Sequence, residues 1–244
     1  MNSSSSQSGL ISCKGVSINR GNNRVISDLS ALIAEKRVGI IGRNGSGKST
    51  FIRSLNGLLP VTSGELQVHG LDAKADHSRL CEVTGFVFQN PDHQLIFPTA
   101  LEEVTFGLRQ KGADKKLAKA QAEGFLKDHG LGAFCDKPVH ELSEGQKQYL
   151  CILAVLVMEP KLLVLDEPFS SLDFRTICQL QRKLEKLDQQ IVFVSHLFNV
   201  LEDYDRVLWL EDGKLKGDGA PQDVLPAYLE NEKRTSLEYS GVEF

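Results

Sequence analysis

Gly42-Arg43-Asn44-Gly45-Ser46-Gly47-Lys48-Ser49 is the stretch whose reading decides the fold. It matches G-x-x-x-x-G-K-[ST], a pattern in which the backbone amides of a glycine-rich turn wrap a row of phosphates. The apolar run Val38 to Ile41 directly before it reads as a buried strand, and Thr50 to Leu58 after it carries helical spacing. Gly45 and Gly47 allow the amides to turn inward, and the helix aims the positive end of its dipole at the same point. Residues Gly42 through Thr50 are therefore expected to hold a nucleotide, with Lys48 on the β and γ phosphates and the Ser49 hydroxyl on Mg²⁺.

Outward from this loop, further short apolar runs at Phe86 to Phe88, Leu162 to Leu165, Ile191 to Val194 and Val207 to Leu210 read as buried strands. Helical spacing recurs at Leu101 to Leu108, Lys115 to His129, Gln146 to Met158 and Phe174 to Leu187. Alternating strands and helices predict an α/β fold with a mostly parallel sheet. The alternating pieces Ile11 to Ile18 and Val25 to Ile33, around the turn Gly21-Asn22-Asn23, predict an antiparallel β part ahead of it. Residues from about 91 to 142 show little strand signal and, with the run to Met158, predict an inserted helical subdomain over about 91–158. The polar start, residues 1–9, reads as a disordered leader, residues 10–225 as the main domain, and 226–244, after the helical spacing that starts at Asp223, as a C-terminal extension.

Composition narrows the function. With 28 basic against 32 acidic residues and a pI near 5.9, the chain lacks the cationic surface that holds phosphate backbones, so no nucleic acid is expected as partner. Its longest apolar run, Tyr149 to Met158, is ten residues where a helical span takes about 20. Cys13, Cys81, Cys135, Cys151 and Cys178 are scattered without a C-x-x-C, as in a cytoplasmic protein with reduced thiols.

A phosphate loop needs a carboxylate at the end of a neighbouring buried strand. Leu162-Leu163-Val164-Leu165 ends in Asp166-Glu167. Asp166 would hold Mg²⁺, and Glu167 would position or deprotonate the attacking water. Before the apolar run Leu150 to Met158 stands Leu142-Ser143-Glu144-Gly145-Gln146. Structurally, Ser143 and Gln146 form a helix capping box. The pentapeptide as a whole resembles the LSGGQ signature of ATP-binding cassette (ABC) ATPases, and a capped helix start with bare backbone at Gly145 is itself an anion site.

That resemblance covers roughly residues 10 to 225. It implies a P-loop NTPase with a RecA-like mixed sheet core and hydrolysis of ATP with Mg²⁺. It also implies a composite site in which Ser143, Gly145 and Gln146 of one cassette face the nucleotide of another. Gln89 matches the Q-loop glutamine that senses Mg²⁺ and the attacking water, Asp173 of Ser171-Leu172-Asp173 the D-loop, and His196 the switch histidine at the γ-phosphate. Two departures stand out. Glu144 replaces a glycine and is expected to point away from the phosphate. The aromatic residue that stacks on adenine is missing, the first aromatic in the chain being Phe51, which leaves Ile18 or Arg20 to meet the base.

The segment Phe88-Gln89-Asn90-Pro91-Asp92-His93-Gln94 resembles the energy-coupling factor (ECF) branch of the family, whose ATPases drive vitamin and metal-ion uptake. This implies a second ATPase subunit, with a homodimer the economical form, a transmembrane coupling subunit, a substrate-binding membrane subunit, and a place on the cytoplasmic face of the bacterial inner membrane. Leu95 to Phe97 would receive the coupling subunit, and Glu102 or Glu103 would pair with its arginines. Residues Ala34 to Asn44 and Asp203 to Val207 look most like the ATPases of biotin importers. Cobalt or nickel import, another vitamin, or a weakly hydrolysing regulatory module are the alternatives.

Overall fold

The computed structural model describes residues 10–238, so the expected leader and the last six residues lie outside the description. Its contacts form two compact units, residues up to 80 together with those from 190, and residues 81–189.

In the first unit, β1 (Ile11–Arg20) and β2 (Asn23–Ile33) pair antiparallel as their alternation requires, with Ile11 opposite Ile33. β3 (Arg37–Ile41) leads through the glycine loop into α1 (Lys48–Leu55). β4 (Ser63–Val68) and the two-residue β5 (Leu71–Asp72) extend the antiparallel sheet in the order β2-β1-β4-β5.

The second unit opens in α2 (Leu80–Val83) and β6 (Thr84–Val87), and holds the helices α3 (Ala100–Gln110), α4 (Lys115–Asp128) and α5 (Glu144–Leu156). β7 (Leu162–Asp166) then pairs parallel with β6, Val87 beside Leu165, and α6 (Phe174–Glu185) follows. Every residue of β6 and β7 is buried, as in parallel strands covered on both faces, and β7 reads as an apolar run up to Asp166.

The chain returns to the first unit with β8 (Gln190–Val194), α7 (Phe198–Leu201), β9 (Arg206–Glu211), β10 (Lys214–Gly219) and α8 (Pro221–Glu238). Here the strand order is β10-β9-β3-β8, parallel except for the antiparallel β9-β10 hairpin. This is a mixed sheet of the kind the sequence resemblance implies, with the antiparallel β part before it.

Sequence periodicity misses β4 and β10. β4, Ser-Gly-Glu-Leu-Gln-Val, buries only alternate residues, and β10, Lys-Leu-Lys-Gly-Asp-Gly, buries none, so neither offers an apolar run. α8 begins with proline at its first position, a placement that costs no hydrogen bond, and runs beyond the expected Asp223 to Glu230.

Candidate nucleotide site

Unit one carries the glycine loop between β3 and α1. β3 ends at Ile41, and the loop passes through left-handed Gly45 and Gly47, at φ 82° and 102°, into α1. Gly47 is the N-cap and brings no side chain to the helix start. The Lys48 ammonium, only 5% exposed, donates to the carbonyls of Gly42 at 2.7 Å and Arg43 at 3.0 Å. A cation drawn into a glycine loop at a bare helix N-terminus fits a polyphosphate. Thr50 is buried behind it. β8 runs parallel to β3 with Val194 beside Ile40, and the Ser195 amide donates to the Ile40 carbonyl at 3.4 Å. Exposed His196 thereby leaves the sheet at the same end as the loop.

In unit two the parallel pair β6-β7 carries the acids. Asp166 closes β7 and is 6% exposed. Glu167 follows at φ 49°, a left-handed conformation that costs a non-glycine residue about 1 kcal/mol or more and is characteristic of functional sites. Gln89, just past β6, donates from Nε2 to Ser170 Oγ at 3.3 Å, so the glutamine and the acids share one end of the strand pair. Two residues to which the sequence reading gave no role of their own hold Gln89's segment. Gln94 accepts from the Phe88 amide at 3.0 Å and donates to the Cys151 carbonyl at 3.1 Å, and Gln148 donates to the Phe88 carbonyl.

The capping box exists as well as the signature. Ser143 Oγ accepts from the Gln146 amide, and Gln146 Oε1 accepts from the Ser143 amide at 2.9 Å. A Cβ at Gly145 would strike Thr176 Cγ2, so glycine is required for this close approach. Thr176 is in turn fixed by Asp173, which caps α6 by accepting from the Thr176 amide at 3.0 Å and hydroxyl at 2.8 Å. Those two bonds hold the Asp173 carboxyl below its ordinary value. The Leu142–Gln146 segment and Asp173 are thus joined through Thr176, which no sequence motif marks. Glu144 turns onto Lys147 at 3.1 Å, and Lys147 also reaches Asp92 at 3.0 Å.

Two expectations change. Ile18 is fully buried and unavailable to a base, which leaves exposed Arg20. Glu103, 7% exposed, spends its carboxylate on the amides of Ile96 at 3.0 Å and Phe97 at 2.9 Å and so does not meet a partner's arginine. Burial raises its pKa, the two amide bonds opposing. Glu102 stays exposed in a capping box with Thr99. Beside it Phe97, Thr99, Phe106 and Arg109 line a groove of about 380 Å³, and Ile96 is 70% exposed.

A sequence profile of the ABC transporter family matches residues 27–170. The biotin transport ATP-binding protein BioM of Rhodobacter capsulatus is 42% identical over 88% of this chain and 92% of its own length. The protein of the same name from Rhizobium etli is 34% identical over 90% and 98%. Among solved structures, CbiO1 of Clostridium perfringens, part of the ABC transporter complex CbiONQ, superposes with a TM-score of 0.79 at 29% identity, covering 94% of this chain and 95% of that one.

Proposed function

The chain belongs to the ABC transporter family as an ATPase subunit, and from that premise we propose that it powers biotin uptake by an ECF-type importer. The observation that carries the substrate is the 42% identity, over almost the whole of both chains, to a biotin transport ATP-binding protein. The ATP-binding domain is read as residues 10–225, with the helical part about 91–158 inserted.

The position of each residue and the family resemblance support the chemistry assigned to it. Lys48 and the amides of Gly42 to Thr50 bind the phosphates, and the buried ammonium and bare helix start support that role. Mg²⁺, when bound, neutralises β and γ phosphate oxygens, and Ser49, Gln89 and Asp166 are the residues that would hold it. Glu167 takes the proton of the attacking water or orients it, and His196 meets the γ-phosphate. Ser143, Gly145, Gln146 and Asp173 act on the nucleotide of a second copy, because one cassette carries only half of each composite site. A transmembrane coupling subunit docks a helix against exposed Ile96 and the groove of Phe97, Phe106 and Arg109, and a substrate-binding membrane subunit delivers biotin. The working place is the cytoplasmic face of the membrane.

Labelled biotin accumulation in cells that lack their own uptake, expressing this chain with the coupling and substrate-binding membrane subunits of a biotin importer, tests the reading. Uptake that requires the chain is expected. Accumulation of cobalt or nickel ions in place of biotin would assign it to metal import.

A further inference from the structure

Arg43 occupies a variable position of the phosphate loop, yet its side chain is held. Its Nε donates to Glu232 Oε1 at 2.7 Å, and both side chains are partly buried, at 39% and 30% exposure. Glu232 lies on α8, whose Tyr228 packs edge-on against Trp209 of β9 with ring centroids 5.3 Å apart. The loop is tied to the same side at two more points. The Gly213 amide, in the β9-β10 turn, donates to the Ser46 carbonyl at 3.1 Å, and Gly42 lies so close to the Leu210 carbonyl that a Cβ would strike it. The Arg43 carbonyl is also one of the two that receive the Lys48 ammonium. An unbroken chain of contacts therefore runs from Glu232 through Arg43 to Lys48.

We propose that α8 is a working part of the nucleotide site: Glu232 is a positioning residue that fixes the phosphate loop through Arg43, so that seating of α8 and binding of ATP favour each other. It rests on Gly42–Ser49 being the phosphate loop. The coupling is reciprocal by linkage, since whatever holds the loop in its binding shape is itself held by the ligand. α8 thereby gives the C-terminal extension a means of setting nucleotide affinity.

ATP hydrolysis by the purified full chain, as KM and kcat for wild type, Glu232→Gln, Arg43→Gln and the double variant, tests this. Glu232→Gln is expected to raise KM about two- to five-fold with kcat unchanged, the span of a partly exposed charged pair. The double variant should be no worse than Arg43→Gln alone. An unchanged KM, or fully additive effects, would overturn the proposal. Trp209, the chain's single tryptophan, reports whether α8 stays seated on it. If its emission shifts in Glu232→Gln, a raised KM still supports coupling and an unchanged KM still overturns it. Lys48→Ala separates the two readings. If it binds ATP as wild type does, the phosphate-loop assignment fails; if it loses ATP while the cycle is additive, only the role of Glu232 fails.

Discussion

Glu103 shows how a single side chain can look like surface chemistry in sequence and serve architecture in the fold. Two adjacent glutamates at a helix start suggest an acidic docking face, but only Glu102 is exposed, while Glu103 turns inward to receive the amides of Ile96 and Phe97. Its folded pKa is raised above the ordinary 4.5, so the folded chain holds the proton more tightly than the unfolded one. By linkage, its contribution to stability is fully present below 4.5 and is lost as pH rises through the raised value. Urea unfolding at a series of pH values should show wild type losing stability relative to Glu103→Gln across that window; a constant difference contradicts the burial argument. Glu103→Ala leaves two amides without their acceptor and should cost about 2 kcal/mol or more in the same measurement. Arg20 gives a second test at this scale. With Ile18 buried, Arg20 is the one of the two expected base contacts that stays exposed, so KM for ATP and GTP should agree within about ten-fold. A strong preference for ATP would show that another group reads adenine.

At the scale of elements, what could be read from sequence was what the chain encodes locally. The glycine loop, its flanking strand and helix, and the Ser143–Gln146 cap each lie within a dozen positions, and each forms as its spacing implies. What sequence hid depends on long-range packing. Thr176 matters because Gly145 packs on it, and Glu232 because it bonds a residue 189 positions away. Neither carries a pattern of its own. β10 escaped because an edge strand with no buried residue shows no periodicity. The proposed docking segment belongs here too. Ile96 is exposed on a loop whose shape is fixed from behind by Glu103, so Ile96→Asp should abolish co-purification with the coupling subunit while basal ATP hydrolysis persists. Intact co-purification would move the docking site elsewhere.

For the whole molecule, no helix among the described residues is long and apolar enough to cross a membrane, and the proposed composite site takes half of its residues from a second cassette. Under the proposed function, transport requires membrane subunits and hydrolysis a second copy. Light scattering should find a monomer without nucleotide and a dimer when Glu167→Gln is saturated with ATP, since a chain that binds but does not hydrolyse keeps the paired state. Glu167 is proposed to activate the water that cleaves ATP, and the most direct test is the rate of phosphate release by purified wild type and Glu167→Gln at saturating ATP. A fall of about 100-fold or more with ATP still bound is predicted; equal rates in the two proteins would contradict it.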